Sequence, residues 1–96
     1  MSIHLLEIQS HQEVREVEKQ ARKLAMTGGY EVSLSSDMSS ADIDIILEVW
    51  SKQLDKYTFG TKAREVGLAG RILGLLREHP HVSESQKSQI SAILGK

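Results

Sequence analysis

Gly60, Ala63, Gly67, Gly70 and Gly74 stand at spacings of 3, 4, 3 and 4 along Thr58–Glu78, and that rhythm limits what the segment can become. On a helix all five fall on one narrow stripe, because residues three and four apart share a face. A glycine in a helix interior costs roughly 1 kcal/mol relative to alanine, so Gly67, Gly70 and Gly74 call for compensation. A second backbone packed unusually close along the stripe would supply it. A turn at Gly67 would use one glycine and leave Gly70 and Gly74 without a role. The spacing therefore favours one continuous helix over 61–78, closed by the only proline, Pro80.

Three more helices follow from period and punctuation. Ser10-His-Gln-Glu13 reads as a capping box, and Val14, Val17, Ala21, Leu24 and Ala25 repeat at helical spacing until Gly28-Gly29 stops the run, giving a helix over 10–27. After the polar linker Ser35–Ser40, the stripe Ile43, Ile46, Leu47, Trp50, Leu54 and Tyr57, widened by Ile45 and Val49, predicts the most buried helix over 40–57. Ser83-Glu-Ser-Gln86 is a second capping box, opening a helix over 83–94 that carries Ile90, Ile93 and Leu94. Two short stretches, 3–8 and 30–35, have strand character, clearest where Tyr30, Val32 and Leu34 alternate with polar residues. The first is equally compatible with a backward extension of the first helix. A two-stranded sheet is marginal alone, and pairing across a dimer would help it. The expected architecture is a single, mainly α domain over 1–96, with three to four helices and a small N-terminal strand element.

Ninety-six residues suffice for one modest core and leave little room for a deep catalytic cleft. The absence of cysteine removes disulfides, thiolate metal ligands and thiol nucleophiles. No apolar run approaches the length of a membrane span and the N-terminus lacks a signal-peptide pattern, so the expectation is a soluble cytoplasmic protein without membrane contact. The net charge of −1 conceals an asymmetry. Residues 1–50 carry four Lys/Arg against nine Asp/Glu and residues 51–96 carry eight against four, leaving halves of −5 and +4. Such a split suits complementarity within the chain or across a dimer, or a basic nucleic-acid face.

No residue constellation supports catalysis. His79-Pro80-His81 has no ligand-like spacing, and all four histidines read as solvated loop residues rather than metal ligands. Asp42, Asp44 and Glu48 suit the N-terminal end of a helix without further purpose. Neither cofactor nor metal is expected.

The helix over 61–78 stands out because Val66, Leu68, Ala69, Ile72, Leu73, Leu75 and Leu76 make about half its circumference apolar beside the small-residue stripe. Such a helix must be buried on more than one side, by its own chain or by a partner. The candidate partner or dimer interface is accordingly Gly67, Gly70, Gly74, Leu68, Ile72 and Leu75, with Trp50 and Tyr57 as aromatic anchors. The expected function is that of a small non-enzymatic regulatory protein. It would act as a homodimer that binds and inhibits or modulates a protein partner, such as a transcription factor, in the manner of an anti-activator.

An alternative rests on Ala63-Arg-Glu-Val66-Gly67-Leu68-Ala69 followed by Leu73 and Leu76, which resembles a helix-turn-helix signature over about twenty residues. Lys62 departs from it, standing where an apolar residue is usual. The resemblance implies a DNA-binding regulator in which Arg71 and Arg77 reach DNA from the recognition helix, with Lys62 and Arg64, together with Lys52 and Lys56, on phosphates.

Overall fold

The structure is a computed structural model that describes residues 4–54 and 67–95. Among these residues the fold is mainly α, with four helices and a short two-stranded parallel sheet. The order is β1 (His4–Ile8), α1 (Val14–Met26), β2 (Tyr30–Leu34), α2 (Ser40–Leu54), α3 (Leu68–Arg77) and α4 (Glu84–Leu94).

The first three elements form a β-α-β unit. Parallel strands cannot be joined by a tight turn, so α1 serves as the crossover that returns the chain to the starting end of β1. Thr27 caps α1, and Gly28 and Gly29 both take positive φ, 126° and 111°, which lets the chain reverse into β2. The register sets His4 beside Tyr30, Leu6 beside Val32 and Ile8 beside Leu34. Alternate residues then share a face: Leu6, Ile8, Val32 and Leu34 join the core, and Leu5, Glu7 and Glu31 are exposed on the other side. The stretch 3–8 therefore becomes strand, not an extension of the first helix, over its described residues.

That strand changes the start of α1. Ser10 does not cap it; Glu13 takes the N-cap position in extended geometry without a side-chain bond, and the helix begins at Val14. A chain leaving β1 at Ile8 must first turn, and Gln9 donates its backbone N–H to Gln12 Oε1 at 2.9 Å within that turn. The Ser10 hydroxyl is thereby free to donate to Asp42 Oδ1 at 2.9 Å, joining the turn to α2.

The helices pack on the apolar side of the sheet around one core. Ile43, Ile46, Leu47, Trp50 and Leu54 of α2 are buried as their spacing predicts, although Ile45 is exposed and Val49 only partly covered. Packing against α2, α4 and β2, α3 buries Ala69, Gly70, Ile72, Leu73 and Leu76. The continuous helix expected over 61–78 is not observed at its middle. Gly67 is extended, with φ −69° and ψ 165°, and caps α3, its carbonyl accepting the Arg71 amide at 2.9 Å. At an N-cap a glycine escapes most of the cost it would carry inside a helix, which favours a break there. The remainder of that segment, together with Tyr57, lies outside the described residues.

The capping box of α4 forms as expected. Ser83 Oγ accepts the Gln86 amide at 3.1 Å, Gln86 Oε1 accepts the Ser83 amide at 2.8 Å, and Gly95 ends the helix with φ 78°.

Candidate functional site

The outer edge of β2 is the feature that stands apart. Tyr30–Leu34 hydrogen-bonds to β1 on one side, and among the described residues no further strand pairs with its other side. Tyr30, Glu31 and Val32 of this strand and Arg71, Gly74 and Leu75 of α3 enclose a groove of about 390 Å³. Consecutive strand residues point to opposite faces, so a lining that includes Tyr30, Glu31 and Val32 follows the strand edge itself. A Cβ built on Gly74 meets nothing within 4 Å, so the glycine leaves open space where other residues would place a side chain. Val32 and Leu75 are half-buried there, presenting apolar surface to the groove.

Its charges are one of each sign. Arg71 is exposed, with its guanidinium 5.9 Å from the centre of the Tyr30 ring, a cation–π arrangement. Glu31 lies on the rim. Tyr30 also walls a second cleft of about 300 Å³, lined by Ala21, Ala25, Leu68, Ala69 and buried Trp50 together with the Glu18–Arg22 pair at 3.9 Å.

The residues predicted for an interface divide sharply. Gly74 and Leu75 line the groove, and Gly67 and Leu68 are half-buried at the start of α3. Gly70, Ile72 and Trp50 are core residues instead, Ile72 having 0% of its surface exposed. A 3–4 spacing places glycines on one stripe, but Gly67 caps α3, Gly70 is buried and Gly74 is left open. Tyr30, Glu31 and Val32 were absent from the predicted set. Their signal was the alternation Tyr30, Val32, Leu34, which marks a strand without revealing that one of its edges stays open.

Two of the proposed DNA contacts, Arg71 and Arg77, lie on α3. Of the ten residues of α3 only Arg71 is exposed, and it is engaged with Tyr30; Arg77 is half-buried with its guanidinium 3.8 Å from Glu78. Lys62 and Arg64 lie outside the described residues.

Of the four histidines, His4, His11 and His81 are exposed as expected and His79 is not. His79 is 6% exposed rather than solvated. Its Nδ1 accepts the His81 amide at 3.0 Å, so the ring proton sits on Nε2 and is donated to the Ser35 carbonyl at 2.8 Å. His81 donates from Nδ1 to the Met38 carbonyl at 2.8 Å. These bonds fasten the α3–α4 turn to the loop after β2. Asp42 accepts from the Ser39 backbone amide at 3.1 Å and from the hydroxyls of Ser10 and Ser39, which hold its carboxyl below the ordinary carboxylate value. Its contacts are structural ones at the head of α2.

Among the described residues no three His, Asp or Glu side chains gather to hold a metal ion, and no helix is long and apolar enough to cross a membrane. No protein family, curated protein or solved structure matches this chain.

Proposed function

We propose that this chain is a non-enzymatic regulatory protein of the cytoplasm that acts through protein contact. In this reading it is a homodimer that binds and inhibits or modulates a protein partner, such as a transcription factor, as an anti-activator does. One observation carries it: a strand edge that pairs with no second strand among the described residues and runs beside a partly apolar groove. An exposed edge offers a row of backbone donors and acceptors that a second polypeptide can complete, and the apolar groove adds burial to the ladder. The burial of α3 favours protein over DNA, because a recognition helix needs a free polar face and α3 keeps only Arg71 exposed.

Affinity capture from the native host, with and without nuclease, tests this reading. A stoichiometric protein complex that survives nuclease, weakened at least tenfold when Val32→Glu charges the groove, is the expected result. Retention of nucleic acid alone, with affinity falling steeply as salt rises, would overturn it.

A further inference from the structure

We propose that the outward face of α1 is a docking surface for an acidic helical segment of a protein partner. This surface shares no residue with the groove beside β2, and it takes from the reading above only that the partner is a protein.

Helical period creates it. Arg15, Lys19, Arg22 and Lys23 recur at i, i+4, i+7 and i+8, which sets four cations on one face of α1. All four are exposed, and they line one shallow groove of about 760 Å³ that reaches Gln53 near the end of α2. Arg22 pairs with Glu18 at 3.9 Å, whereas among the described residues Arg15, Lys19 and Lys23 have no carboxylate partner. By contrast, Lys52 and Lys87 sit beside Glu48 and Glu84 at 3.8 and 3.6 Å. A chain of net charge −1 thus gathers unmatched positive charge along a single helix.

The width and polarity of the row decide its occupant. Met26 continues the same face and is 89% exposed, so an apolar side chain stands among the cations. From Arg15 to Met26 the row runs about 16 Å, three turns of helix. By the same period Glu18 borders it on one side and exposed Glu16 on the other, which keeps the positive strip one helix face wide. A duplex or an anionic bilayer presents a broad negative surface that would meet these carboxylates along with the cations. Val17 and Ala21 of α1 are buried in the core, so the helix has no apolar stripe left to enter a bilayer. The complement of so narrow a strip is a single row of Asp and Glu side chains. One face of an acidic helix, with an apolar residue among its carboxylates to meet the adaptable Met26 thioether, matches it in length, charge and polarity.

A short labelled helical peptide with Glu residues on one face around a single Leu is the probe, beside an isomer of the same composition whose Glu residues are spread around the helix. Fluorescence anisotropy follows both, together with labelled duplex DNA and anionic phospholipid vesicles. The wild type is expected to bind the one-faced peptide most tightly of the four. The double variant Lys19→Glu, Lys23→Glu should weaken that binding about tenfold, Met26→Ser roughly threefold, and Val32→Glu not at all. Unchanged thermal melts of the two α1 variants, whose altered side chains are exposed, show that the fold is intact. A peptide bound no better than its isomer, binding indifferent to the double variant, or tighter binding of duplex or vesicles overturns the proposal. If the peptide fails while the nuclease-resistant complex persists, only the α1 surface falls; if nucleic acid alone is retained from the host, both readings fall.

Discussion

The two flanks of the β2 segment treat their backbone groups in opposite ways. On the flank facing α4, the loop after β2 and the start of α2 are tied down. His79 and His81 take the Ser35 and Met38 carbonyls, and the Gln86 amide donates to the Ser40 carbonyl at 2.9 Å and to Asp44 Oδ1 at 2.7 Å. Gln86 is only 3% exposed and spends every donor and acceptor of its side chain. At the edge, a few residues earlier, Tyr30–Leu34 pairs with no second strand among the described residues and runs beside a partly apolar groove. A protein this small can saturate a buried junction with a few polar side chains.

The comparison breaks most readily at the core of α3, the element shared by both flanks. Ile72→Ala removes a fully buried side chain and should cost about 2–5 kcal/mol of unfolding free energy, measured by urea denaturation. A cost well under 1 kcal/mol would mean that α3 is not the fixed wall that both the junction and the groove require. Next in size is Gln86→Leu, which keeps the volume and removes the hydrogen bonds. It strands the Ser40 carbonyl and the Ser83 amide, and should cost about 1–3 kcal/mol in the same measurement. A neutral result would show that solvent replaces those bonds, and that the junction is no better satisfied than the edge.

Sequence alone made the helices legible where apolar period and caps agreed. The stripe of α2 from Ile43 to Leu54 and the box Ser83–Gln86 are local patterns, and both appear as read. Ser10–Glu13 has the same local pattern and fails, because strand pairing several residues away decides where α1 starts and gives Ser10 a partner in Asp42. Gln86 shows a related gap: its capping role was visible, but its bonds to Ser40 and Asp44 span more than forty residues. For the groove, sequence supplied Gly74 and Leu75, and Arg71 only as a DNA contact; it read the strand over 30–35 but did not place that strand in the site. Which side of a strand remains unpaired depends on tertiary placement, and no spacing within Tyr30–Leu34 encodes it.

The smallest effect separates the two glycines that the spacing had made equivalent. Gly70 lies in the core, whereas Gly74 lies inside α3 with nothing within 4 Å of an added Cβ. In an isolated monomer, Gly74→Ala should therefore stabilise by about 0.5–1 kcal/mol, since alanine loses less backbone freedom on entering a helix and meets no neighbour. Denaturation at a protein concentration below any self-association checks this. A loss even in the dilute monomer would mean that the groove is closed in solution by the protein itself.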